Sequence, residues 1–71
     1  MPKLFSSRQI VKLLTDKGFI FISQRGSHAK YRKISLSETL TTIVPMNKKE
    51  IPYGTFRSIL RQARLDKKDF E

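Results

Sequence analysis

The apolar residues of this 71-residue chain change their period twice, from helical to strand-like and back, and that switch most constrains its fold. Ile10, Val11, Leu13 and Leu14 recur at the spacing of one helix face. Between residues 19 and 44 the pattern becomes short runs of aromatic and β-branched residues separated by turn residues. Phe56, Ile59, Leu60 and Ala63 then restore the helical spacing. The predicted order is α-β-β-β-α, an α+β fold in which three short strands form an antiparallel meander. Two amphipathic helices cover one face of such a sheet and leave the other wet.

Local signals set the boundaries. Ser6 and Gln9 have the spacing of a capping box, and Gly18 suits a left-handed helix end, so the first helix is expected over residues 7–17. Strands are expected over 19–24, 28–34 and 39–44, the last ended by Pro45. Arg25-Gly26-Ser27 makes the first connection, Gly26 being free to take positive φ, and residues 35–38 make the second. Residues 46–53 form a loop pinned by Ile51 and Tyr53. The second helix starts near Thr55, or a turn earlier given Pro52, and lines Arg57, Arg61 and Arg64 along a face separate from its apolar stripe. The tail is expected to add one more turn, with Phe70 tucked back.

At this length a single domain, residues 1–71, buries only about 60% of its unfolded surface, so the core is thin. The chain has no cysteine, so neither a disulfide nor a Cys/His metal cluster is expected, and no cofactor is implied. The N-terminus does not read as a signal peptide, and the longest apolar run, Phe19-Ile20-Phe21-Ile22, is far short of a membrane span. These features fit a cytoplasmic protein. The excess of 15 Lys+Arg over 6 Asp+Glu gives a net charge of +9. Such a chain favours polyanions, with nucleic acid first and an acidic protein that masks the same surface second. A membrane surface is disfavoured, because neither helix combines a strongly basic face with a wide aromatic one.

His28 is the only histidine, and it closes the tripeptide Gly26-Ser27-His28. Strand alternation places His28, Lys30 and Arg32 on one polar face and Ala29, Tyr31 and Lys33 on the other. The first set is expected to look outward. An imidazole titrates close to neutrality and can accept or donate a proton there. Cutting RNA without a metal needs the 2′-hydroxyl deprotonated, the phosphorane oxygens stabilised and the leaving 5′-oxygen protonated. By residue chemistry alone two readings stand: a proton-transfer histidine acting on RNA, and a turn histidine in a non-catalytic basic RNA-binding module. A third, a DNA-binding regulator, lacks helix-turn-helix spacing. Lys30 and Arg32 are placed to hold phosphate, and Gly26 to let the RNA backbone approach. Ser27 serves as a phosphate donor or a turn residue. Lys48, Arg57 and Arg61 are candidate RNA contacts on the loop and second helix. The acidic residues are scattered, so no metal site is expected.

Taken together, Gly18-Phe19, Gln24-Arg25-Gly26-Ser27-His28, Val44-Pro45, Lys49-Glu50-Ile51 and Gly54-Thr55-Phe56-Arg57-Ser58-Ile59-Leu60-Arg61-Gln62-Ala63 resemble HicA-type toxins in order and spacing, over residues 10–70. The resemblance implies a fold like that of double-stranded-RNA-binding domains. It implies mRNA cleavage that arrests translation, and a HicB-type antitoxin as partner. It also implies that His28 is the catalytic residue. Two positions depart from the common pattern. Asn47 stands where many members carry a second histidine, and Arg64 stands where a glycine is common. Arg64 is expected to prolong the second helix.

Overall fold

The computed structural model describes residues 3–70, and the side chains of residues 3–69. Its elements are α1 (Ser7–Asp16), β1 (Ile20–Arg25), β2 (His28–Ile34), β3 (Thr39–Pro45), α2 (Tyr53–Ala63) and a terminal 3₁₀ turn (Lys67–Phe70). The order is the predicted α-β-β-β-α. The terminal turn forms as expected, while the placement of the Phe70 side chain lies outside the described residues.

The capping box is present at α1. Ser6 Oγ accepts from the Gln9 amide at 3.1 Å, and Gln9 Oε1 accepts from the Ser6 amide at 2.8 Å. The helix ends in a Schellman arrangement: Phe19 N–H donates to the Leu14 carbonyl and Gly18 N–H to that of Thr15, with Gly18 at φ 99°. The same pair of bonds closes α2, from Leu65 to Leu60 and from Arg64 to Arg61. Arg64 therefore occupies the position that Gly18 occupies in α1, at φ 57° and ψ 38°. The expectation that Arg64 prolongs α2 is wrong. The backbone satisfies its terminal carbonyls and turns out at Arg64 despite the side chain.

Other boundaries also differ from expectation, and α1 ends at Asp16 rather than at residue 17. The first strand runs one residue later, from Ile20 through Arg25, so the connection to β2 is Gly26–Ser27 alone. The third strand includes Pro45, which an edge strand tolerates. Helix α2 begins at Tyr53, behind Pro52, in line with the earlier of its two expected starts.

The sheet is antiparallel in the order β1-β2-β3, and the helices pack on one face, chiefly over β3. Ile10 and Leu14 of α1, Ala29 and Tyr31 of β2, Val44 of β3 and Phe56 and Ile59 of α2 are buried together with Phe19 and Ile51. Ile51 anchors the loop as expected, its N–H donating to the Phe5 carbonyl at 2.8 Å. Tyr53 is half-buried against Phe56. Strand β1 stays outside this core. Ile20 and Phe21 remain more than half exposed, at 56% and 54%. The ladder is interrupted between Phe21 and Ser23, where Ile22 is the extra residue of a bulge.

Candidate nucleic-acid interface

The register determines which side chains share the uncovered face. Gly26–Ser27 is a two-residue hairpin loop with positive φ at Gly26 (59°) and not at Ser27, the pattern of a type II′ turn. A loop of that length makes Arg25 and His28 direct cross-strand partners, and directly opposed side chains lie on the same face. The pairing continues with Ser23 opposite Lys30 and Ile20 opposite Arg32. On the other side, His28 faces Pro45, Lys30 faces Ile43 and Arg32 faces Thr41. The outward face predicted for His28, Lys30 and Arg32 is therefore the one away from the helices.

A concavity of about 380 Å³ opens on this face, lined by Ser23, Arg25, His28, Lys30 and Ile43. His28 is exposed and lies between two cations, Arg25 across the ladder and Lys30 one pleat along its own strand. Ser27 Oγ lies 3.5 Å from His28 Nδ1, at the outer limit of a hydrogen bond, which leaves Nε2 directed elsewhere. Whichever tautomer is present, one ring nitrogen is available as donor and the other as acceptor. The turn is braced on both sides. Gln24 Nε2 donates to the Gly26 carbonyl at 3.0 Å, and Met46 N–H donates to the Ser27 carbonyl at 2.6 Å.

Arg32 shares the face but not the concavity. It is half-buried, its Nε donating to Thr41 Oγ1 at 3.2 Å. Four residues along a strand span roughly 13 Å, so His28, Lys30 and Arg32 track a length of backbone rather than converge on one phosphate. Tyr31 is buried on the opposite face, edge-on to Phe21, as the alternation predicted.

The remaining predicted cations fall into two other places. Lys48 lies in a groove of about 740 Å³ between α1 and the loop after β3, with Arg8, Lys12 and Lys49. Arg57 and Arg61 are exposed on the outer side of α2, flanking a depression of about 330 Å³ with Gly54 and Ser58. Because α2 packs on the helix-covered face of the sheet, the structure does not bring Arg57 and Arg61 together with His28. None of the three depressions is lined by a carboxylate. The two ion pairs among the described residues, Lys17–Asp69 and Arg64–Glu38, involve none of their cations.

Sequence reasoning missed Arg25, Ser23, Arg8 and Lys12 as site residues. For Arg25 the signal was present: two residues separate it from His28, and a two-residue hairpin forces them to pair. Among the described residues no group of three or more His, Asp or Glu side chains converges, and no helix is long and apolar enough to cross a membrane.

A small basic α-β-β-β-α domain, with a histidine set among cations on the open face of its sheet, has a fold like that of double-stranded-RNA-binding domains. The family model describing the HicA toxin of bacterial toxin–antitoxin systems matches residues 7–65, and the chain belongs to that family. Comparison with individual curated proteins returned no match. As a member of the family the chain is the toxin of a toxin–antitoxin system, whose partner is a HicB-type antitoxin.

Proposed function

We propose that this toxin is an endoribonuclease that cuts mRNA without a metal ion, with His28 as its single catalytic histidine, and so arrests translation in the cytoplasm. The observation that carries the reading is the placement of an exposed His28 between Arg25 and Lys30, in a concavity with no acidic lining. In the reaction the 2′-oxygen attacks phosphorus, the O2′–P bond forms and the P–O5′ bond breaks. The products are a 2′,3′-cyclic phosphate and a 5′-hydroxyl. His28 takes the 2′-proton as base while solvent protonates O5′, or protonates O5′ as acid while solvent takes the 2′-proton. Arg25 and Lys30 stabilise the charge that builds on the phosphorane oxygens. Ser27 holds the ring through Nδ1, Gly26 keeps the turn free of a side chain, and Arg32 holds a neighbouring phosphate. Lys48 extends the basic surface past the turn. Arg57 and Arg61 meet a separate stretch of RNA, being on the far side of the domain. The HicB-type antitoxin, in this reading, presents carboxylates to the same cations.

The presence of Asn47 where many relatives have a second histidine favours one alternative, a non-catalytic module that blocks translation by occupying RNA. Product analysis separates the two. Purified toxin is incubated with RNA in the presence of EDTA, and with the same RNA carrying a single 2′-deoxy substitution at the cut position. Cyclic phosphate ends formed in EDTA, with no cut at the deoxy position, are expected. Dependence on added metal, or 5′-phosphate ends, would contradict the mechanism. Tyr31→Phe is expected to leave cleavage close to wild type, since that ring is buried on the other face.

A further inference from the structure

A groove of about 740 Å³ lies next to the His28 turn. Its walls are the first half of α1 and the loop after β3, and its cations are Arg8, Lys12, Lys48 and Lys49. Val11 and Met46 form an apolar floor between them. Arg8 and Lys12 are four residues apart and so project from the same side of α1. The walls are clamped together at Ser7. Its buried Oγ donates to the Pro45 carbonyl at 2.6 Å and accepts from the Lys48 amide at 3.0 Å, and its own N–H donates to the Lys48 carbonyl at 3.0 Å. The groove therefore exists before any ligand arrives.

The groove is separate from the His28 concavity but tied to its turn by one backbone bond. Met46, in its floor, is hydrogen-bonded through its N–H to the carbonyl of Ser27, the residue before His28. Asn47 follows at φ 61°, exposed, with its amide available at the junction. Four cations with no carboxylate among the lining residues select a polyanion. The volume, about 740 Å³, is enough for a couple of nucleotides. An apolar floor between cations matches what a single strand offers, phosphates at the sides and base or ribose faces between them.

We propose that this groove holds a single-stranded stretch of the RNA substrate beside the phosphate that is cut at His28. Arg8, Lys12, Lys48 and Lys49 contact phosphates, and Val11 and Met46 support the bases. The assignment rests on the ribonuclease reading only in taking RNA as the substrate.

The test uses the full chain carrying His28→Ala, so that RNA stays intact during binding. Affinity for a single-stranded oligoribonucleotide is measured against salt concentration, with and without Arg8→Ala and Lys12→Ala together. A duplex RNA and a poly-glutamate peptide are measured in parallel. Lys67→Ala with Lys68→Ala is the control, removing the same charge at the opposite end of the chain. Losing two phosphate contacts should lower the slope of log affinity against log salt by about 1.4, at about 0.7 per contact, and weaken binding at least tenfold at moderate salt. The control should keep the slope. The same Arg8/Lys12 pair of substitutions in the His28 protein should slow cleavage of long RNA. An unchanged slope, an equal change in the control, or a loss confined to duplex or poly-glutamate would overturn the proposal. The two readings fail separately. Cleavage through His28 with an unaltered Arg8/Lys12 variant sinks the groove alone. Loss of single-strand binding in that variant, in a protein that never cuts RNA, sinks the catalytic reading alone.

Discussion

Ser7→Ala is the substitution whose effect follows most directly from the structure. Ser7 is 4% exposed, although it is a serine at the first position of a surface helix. Its hydroxyl serves two backbone groups at once, the Pro45 carbonyl at 2.6 Å and the Lys48 N–H at 3.0 Å. Alanine leaves both part-buried groups without that partner, at roughly 1–1.5 kcal/mol each, or about 2–3 kcal/mol together. The whole domain has about 4–10 kcal/mol to lose, at roughly 0.05–0.15 kcal/mol per residue. The melting temperature should fall by about 8–24 °C, taking about 4–8 °C per kcal/mol for a domain of this size. The assay is thermal and urea denaturation followed by circular dichroism, beside Ser6→Ala. That neighbour is the N-cap, less deeply buried and worth about 1 kcal/mol. Ser7→Ala must therefore be the more damaging of the two. A Ser7→Ala protein within about 0.5 kcal/mol of wild type, the range of an ordinary surface change, would refute the clamp.

Other substitutions probe the backbone and the termini. Gly26→Ala should cost about 1–2 kcal/mol in urea denaturation, because φ is 59° there, while a Cβ would meet no atom within 4 Å and so add no clash. Arg64→Gly should melt close to wild type, because opposing terms nearly cancel. It relieves about 1–2 kcal/mol of left-handed strain, against about 0.4–1 kcal/mol of added chain entropy and an exposed Glu38 pair worth about 0–1 kcal/mol. Arg64→Val should melt lower. The Asp69 carboxyl is held below its ordinary pKa, first by the Asp66 N–H it accepts at 2.8 Å and then by Lys17 at 3.4 Å. Its stabilising contribution is therefore complete above the ordinary carboxylate range and lost as pH falls through the lowered value. Asp69→Asn should be less stable than wild type at neutral pH and equal to it in strong acid, read from melting curves across pH; a gap that persists in strong acid would contradict this assignment.

Much of the architecture was legible because it depends on local chemistry. The capping box at Ser6 and Gln9, the glycine at 18 and the apolar spacing of the two helices are short-range patterns, and all three recur in the structure. The outward aspect of His28 was legible for the same reason, since alternation along a strand is strict. Arg64 shows where local rules fail. Its residue type predicts a longer helix, yet the Leu65–Leu60 and Arg64–Arg61 bonds end α2 there. The bulge at Ile22 and the exposure of Ile20 and Phe21 depend on β1 lying at the sheet edge beyond the helices, which no local pattern reveals. The Ser7 clamp joins residues 38 and 41 apart in sequence, so it exists only once the sheet is formed. Arg57 and Arg61 looked equivalent to Lys30 and Arg32 by composition. Only the packing of α2 separates them from His28.

The proposed function rests on His28 moving a proton in RNA cleavage. The most direct measurement compares cleavage of one RNA by wild type and by His28→Ala, with the fold of each checked by circular dichroism and RNA binding measured alongside. With His28 in that role, wild type cleaves the RNA and the folded variant binds RNA but cuts it at least a hundredfold more slowly, the lower end of what a positioned general acid or base contributes, about 10²–10⁴. Equal cleavage by the two proteins, or RNA binding without cleavage in both, would contradict it.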